Sequence, residues 1–200
     1  MKLIEQSHSI ISLPDNLLST IEEAGRTCYK SEDKITPDSA EKFVKTLIKS
    51  GHHAMIEFGD IIVRCITDRG VTHEIVRHRL CSFAQESTRY VKYDNNMEFI
   101  IPVWFPTSST DQQVLFRNSL VMAEESYKYL RNSGWRAEQA RQVLPNALKT
   151  EIVIKANIRE WRHMMTLRTS PKAHPQIRAL FKDILDNFKV QIPVVFEDLG

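Results

Sequence analysis

Two stretches of this chain pull in different structural directions, and together they restrict the fold more than any other feature. Residues 55 to 67, MIEFGDIIVRCIT, are rich in β-branched side chains and read as a strand, bent near Gly59. Residues 111 to 131 read instead as one long helix, with Leu115, Leu120, Tyr127 and Leu130 among its apolar positions and Gly134 as its break. A helix over 36–50 starts at Thr36-Pro37-Asp38, which supplies a cap, a first-turn proline and an early acid. Phe43, Leu47 and Ile48 keep its apolar period, and Gly51 stops it. A short helix is expected after Gly70, carrying Val71, Ile75 and Val76, and a strand over 98–103, ended by Pro102 and Pro106. Further helices are expected over about 137–144, 150–168 and 174–188. Strands and short helices come first and helices dominate afterwards, an α+β pattern. With no repeat, low-complexity tract or linker-like shift in composition, residues 1–200 read as a single domain.

The composition excludes several classes. A chain that is 42% hydrophobic and 26% charged is that of a folded protein, and no apolar run approaches the roughly 20 residues that span a bilayer. The start, MKLIEQSHSI, has neither the apolar core nor the cleavage site of a signal peptide. Cys28, Cys65 and Cys81 are odd in number and unrelated in spacing, so neither a disulfide framework nor a zinc pattern follows, and a reducing cytoplasm is the expected setting. A net charge of +2 argues against a protein that coats nucleic acid.

Local clusters of arginine say more than the total. Arg77, Arg79 and Arg89 fall close together, with Gln85, Ser87 and Thr88 between them; Arg159, Arg162 and Arg168 form a second group, with Arg141 upstream. Guanidinium forks that never lose their charge suit phosphates and carboxylates. Taken alone the first array means either an anion site or a solvated, salt-bridged face. In the expected 150–168 helix, Asn157, Trp161, Met164 and Arg168 are spaced i, i+4, i+7, i+11 and share a face. That face is either a pocket wall or a packed Trp161 whose polar neighbours reach solvent.

The order of the motifs then identifies a family. Arg77-His78-Arg79, a seven-residue spacer, Ser87 and Arg89-Tyr90 resemble the signature of the flavin-dependent thymidylate synthases. Upstream, Gly51-His52 and Glu57 resemble the family's Gly-His…Glu-His stretch. Downstream, Ala140-Arg141-Gln142-Val143-Leu144-Pro145 resembles its Ala-Arg-x-x-Leu-Pro, and Asn157, Arg159, Trp161, Arg162, His163, Leu167 and Arg168 resemble its last block. The matches keep their order over roughly residues 50–180.

The resemblance implies an α+β fold with a mixed or antiparallel sheet and a mostly helical C-terminal half, assembled as a homotetramer with sites at subunit interfaces. It implies conversion of dUMP to dTMP, with methylenetetrahydrofolate as carbon donor and NADPH as reductant through FAD. By position, Arg77, His78 and Arg79 would touch FAD, Arg77 also lying near the nucleotide. Asn157, Arg159 and His163 would hold the flavin, with His52 near flavin and folate. Gln85, Glu86, Ser87, Thr88 and Arg89 would wrap dUMP, joined by Arg141 and Glu74; Gln85 and Ala54 also occupy flavin-side positions. Arg168 would polarise the uracil ring. No metal, membrane or nucleic-acid partner is implied.

Three positions depart from the pattern. Phe58 stands where the family has the second His of Glu-His, Ala54 stands for Ser or Thr and removes a hydroxyl near the flavin, and Glu74 stands for Gln and adds a negative charge near phosphates. Two other functions remain to be weighed. In one, Cys81 is a nucleophile with His78 three residues before it; in the other, the arginines hold nucleic-acid phosphates without catalysis.

Overall fold

The computed structural model describes residues 1–93 and 96–200. Its elements run β1 (Lys2–Ile4), β2 (Ser7–Ser12), α1 (Leu17–Thr27), α2 (Ser39–Lys49), β3 (Asp60–Asp68), α3 (Arg69–Ile75), β4 (Ser82–Gln85) and β5 (Glu98–Ile100). They continue with α4 (Thr110–Asn132), α5 (Ala137–Ala140), β6 (Lys149–Asn157), α6 (Ile158–Arg168), α7 (Pro175–Gln191) and α8 (Pro193–Phe196). Strands β2, β3, β6 and β4 hydrogen-bond in that order, and β1 pairs with β5 in parallel. The α+β expectation holds. No helix of the described residues is long and apolar enough to cross a membrane.

The chain divides into two compact units interleaved in sequence: Met1–Ser7, Cys65–Arg77 and Ala84–Ile152 in the first, His8–Arg64, His78–Phe83 and Val153–Gly200 in the second. In the first, Met97, Phe99, Leu120, Tyr127, Ala140 and Leu148 form the core. Helix α4 begins with a full capping box, Ser109 and Gln112 exchanging side-chain-to-backbone hydrogen bonds, and stops before Gly134 at φ +96°. Glu124 lies buried in it, receiving Lys128 at 2.7 Å and the Met97 amide at 3.2 Å.

In the second unit α6, α7 and α8 supply an aromatic centre, with α2 packed on α8 and α1 on α2. Trp161 meets Phe188 edge-on at 5.3 Å between ring centroids, and Phe188 stacks on Phe196 at 4.7 Å. All three are fully buried. Gly25 of α1 admits the Phe43 ring of α2, since a Cβ there would lie 2.6 Å from it. Gly51, at φ +72°, ends α2 as expected.

Several expected elements change. Residues 55–58 form a short 3₁₀ turn, and the strand starts only at Asp60. The expected 150–168 helix splits at Asn157 into β6 and α6. In β6, Thr150, Ile152, Ile154 and Ala156 are buried in alternation, so the β-branched run follows a two-residue period where a helical one was expected. The strand over 98–103 is only Glu98–Ile100, and the helix over 137–144 becomes α5 followed by a 3₁₀ turn, Arg141–Val143. Leu115, one of the apolar positions read in the long helix, is 69% exposed, whereas Leu120 and Tyr127 are buried.

Trp161 belongs to the core, and its indole N–H donates to the Ile61 carbonyl at 3.1 Å. Trp161→Phe removes that donor and part of a fully buried aromatic surface. We expect a loss of about 1–3 kcal/mol in urea unfolding, with the fold retained.

Candidate active site

Within the second unit the sequence feature that organises the site is the junction of β6 and α6. Asn157 caps α6 by accepting the Glu160 amide at 2.9 Å, and the Ile158 amide donates to the Gly59 carbonyl at 2.8 Å. Asn157 is therefore the cap itself, with Trp161 and Met164 buried behind it, and the mixed polar face expected of one continuous helix does not form. Glu160 is the third residue of α6, where a capping-box carboxylate turns back to the cap. Here it turns to His78 instead, with 3.2 Å between Glu160 Oε1 and His78 Nδ1.

His78 is the buried member of Arg77-His78-Arg79, while both flanking arginines are exposed. Its other ring nitrogen, Nε2, accepts from Arg168 Nε at 3.0 Å. A guanidinium can only donate, so Nε2 carries a lone pair and Nδ1 carries the proton that Glu160 accepts. Burial, the Arg168 charge and His163, whose ring meets His78 edge-on at 5.9 Å, push the imidazole down to about 4. Burial raises the Glu160 carboxyl, while His163 opposes that shift.

Beside this chain lies a cavity of about 470 Å³ lined by Glu57, Leu80, Asn157, Arg159, Glu160 and His163. Arg159 Nη1 contacts Glu57 Oε1 at 2.6 Å. The structure thus gathers three expected flavin contacts, Asn157, Arg159 and His163, around one opening, next to His78. His52 and Ala54 line a different, mostly apolar cavity of about 410 Å³ with Cys28, Tyr29, Phe43 and Met55. Phe58 is exposed.

In the first unit the 85–89 loop and Arg141 come together. Arg141 Nη1 donates to buried Thr88 Oγ1 at 3.1 Å. Ser87 Oγ accepts the Arg89 amide at 3.3 Å, and Arg89 lies 3.7 Å from Glu138. Gln85 Nε2 donates to Thr72 and Thr150 hydroxyls at 2.9 and 3.3 Å. Glu86 is held by Tyr93 at 2.6 Å and Lys149 at 3.3 Å. Gln85 and Glu86 are thus tied to α3, to β6 and to Tyr93. Glu74 sits half-buried in α3, its carbonyl accepting the Arg77 amide at 3.2 Å.

Cys81 is not built as a nucleophile. Its thiol contacts Met164 Sδ at 3.7 Å, and burial with the nearby Glu160 carboxylate pushes it up to about 12. His78 is committed to Glu160 and Arg168. His78, Glu160 and His163 place ligand atoms within 4.8 Å of one another, a spacing a metal ion could use. The Arg168 cation on His78 opposes that use. Glu160 is the functional candidate absent from the sequence reading, because a Glu three residues past an Asn cap signals only a helix start.

The fold and this arrangement define the class. The family described as thymidylate synthase complementing protein matches residues 9–194. The chain belongs to that family, the flavin-dependent thymidylate synthases. It is 36% identical over 196 residues to the flavin-dependent thymidylate synthase of Corynebacterium efficiens, covering 89% of this chain and 78% of that one. The enzyme of the same name from Geobacter sulfurreducens is 31% identical over 186 residues, covering 88% and 79%. In fold, the chain is similar to the UMP/dUMP methylase PolB of Streptomyces cacaoi bound with 5-Br dUMP, with a TM-score of 0.82, 24% identity and coverage of 98% and 96%.

His78 couples this site to stability. An imidazole whose folded value lies near 4 against an ordinary 6.5 binds its proton less readily when folded. The unfolded chain therefore takes up more protons between those values, and stability rises with pH across that window. Relative to His78→Gln, the protein should lose roughly 3 kcal/mol more between about pH 6.5 and pH 4. Urea unfolding at stepped pH measures the difference.

Proposed function

We propose that the protein carries out the reductive methylation of dUMP to dTMP, with methylenetetrahydrofolate as carbon donor and NADPH as reductant through bound FAD. The observation that carries this reading is the Arg168 guanidinium fixed on His78 beside the cavity of Asn157, Arg159 and His163. The donors there fit a flavin dinucleotide. Arg159 suits its pyrophosphate, and the Asn157 amide and His163 suit polar ring edges. Bound FAD would supply the hydride chemistry.

The chain's own residues do the rest. Thr88, Ser87, Arg89 and Arg141 would hold the phosphate and sugar of dUMP through charge-assisted hydrogen bonds. Arg168 would lie against the uracil, where its cation stabilises the ring anion that makes C5 nucleophilic. His52, on the separate cavity it lines with Ala54, would contact folate. A homotetramer would complete each site with residues of different subunits. An exposed apolar row on α4, Leu115, Met122 and Tyr129 at seven-residue spacing, suits self-association.

The direct test is dUMP-dependent tritium release from 5-tritiated dUMP by the yellow, flavin-loaded protein with NADPH and methylenetetrahydrofolate. A colourless protein without tritium release would refute the reading. Arg168→Ala should lower the single-turnover rate by about 10²–10³ with normal flavin content. Arg168→Lys should recover only part, because a point charge lacks the planar fork.

Ser87→Ala separates binding from chemistry. It should raise the dUMP KM more than it lowers kcat, as expected when an interaction common to ground and transition states is lost. Steady-state kinetics across dUMP concentration measure both.

A further inference from the structure

Arg168 is a long, flexible side chain, and a guanidinium that acts by geometry needs something to hold it still. His78 does so at 3.0 Å, but only in one protonation pattern. If the ring proton moved to Nε2, two N–H groups would face each other and the contact would become repulsive. Which nitrogen carries the proton depends on what the other side of the ring meets. That side meets Glu160, 95% buried and set by the Asn157 cap at 2.9 Å.

We propose that Glu160 is a positioning residue that, by accepting the Nδ1 proton of His78, fixes the tautomer and ring orientation that hold the Arg168 guanidinium. The proposal rests on the catalytic reading of Arg168 and adds to it the group that aims it. The chain runs Glu160 carboxylate, His78 imidazole, Arg168 guanidinium, and each link has one donor and one acceptor. Among the described residues, Glu160, His163 and Arg168 of α6 face His78, Cys81 lies on its own segment, and exposed Arg77 and Arg79 flank it. His163 and Arg168 both oppose protonation of the ring, which keeps it a neutral two-ended link. The position of Glu160 in α6 adds to this: the helix dipole favours an anion in the first turn, which, with His163, opposes the upward push of burial on the carboxyl.

The test uses flavin-loaded protein and two readouts. Nitrogen NMR of the His78 ring, assigned by its loss in His78→Gln, should show a neutral ring protonated on Nδ1. In Glu160→Ala that signature should vanish, and the single-turnover rate should fall about 10- to 100-fold while flavin content holds. The dUMP Kd should stay within about threefold, because the lost interaction acts on the rate more than on binding. Glu160→Gln, whose amide oxygen still accepts from Nδ1, should restore most of the rate. Should Glu160→Ala fold poorly, Glu160→Leu keeps the volume without an acceptor and should behave as predicted for Ala. In an Arg168→Ala background, Glu160→Ala should cost nothing further. An unchanged His78 spectrum in Glu160→Ala, an additive loss in the double variant, or a stoichiometric zinc ion on His78 would each overturn the proposal. A wild-type rate in Arg168→Ala would sink the catalytic reading instead, and the nitrogen spectrum would still decide whether Glu160 sets the ring.

Discussion

At Asn157 a buried strand becomes a helix, and the second unit takes its arrangement from that turn. The Asn157 side chain ties down the Glu160 amide, and the next residue's amide is taken by the Gly59 carbonyl. With the start of α6 fixed at both points, its helical period decides everything downstream. Ile158, Trp161, Met164 and Met165 fall inside, where Trp161 spans to the Ile61 carbonyl and the Phe188 ring. Glu160 then falls beside His78, and Arg168 closes the last turn against the same ring. Burying so large an aromatic set stabilises the unit, but its second effect is placement, since a packed indole leaves the helix little freedom to rotate.

Burying a titratable chain of Glu160, His78 and Arg168 is costly unless every polar atom finds a partner. Here the ring nitrogens are both used, one as donor and one as acceptor, and the carboxylate sits at a helix N-terminus. The imidazole stays neutral because a second positive charge beside Arg168 and His163 in a dry setting is unfavourable. The resulting network is rigid in one pattern of protons and broken in the other.

Much of this was legible in the sequence, and the gaps have physical causes. The α2 stop, the long α4 and the His174-Pro175 start of α7 depend on caps, proline and glycine, which act locally. The α2 start shifts: the helix begins at Ser39, past Pro37, with Asp38 at the cap position and no side-chain cap bond. Residues 150–157 could not be settled by pattern, because a short β-branched apolar run suits a strand and a buried helix alike, and neighbouring strands decided it. Leu115 carries the helical period yet faces outward, since a period does not say which side will be covered. Among site residues, the motif order pointed to Arg141 with the 85–89 loop and to Asn157, Arg159 and His163 together. It did not separate His52 and Ala54 onto another cavity, nor reveal Glu160, whose partner lies 82 residues away.

The second arginine group shows why a cluster in sequence is not a site in space. Arg159 meets the Glu57 carboxylate directly at 2.6 Å. Arg162 forks onto Asp198 with both nitrogens at 2.6 Å and reaches the Val195 carbonyl, so it ties the chain end to α6 and lowers the Asp198 carboxyl below its usual range. Arg168 meets an imidazole, with a carboxylate one ring further on. A direct pair spends a guanidinium's charge on its partner, whereas a neutral ring orients it through a hydrogen bond without neutralising it. Three arginines within ten residues therefore receive different electrostatic settings from one helix. The imidazole contact is the one suited to a cation that must meet charge appearing on a substrate, because its orientation is fixed before that charge develops.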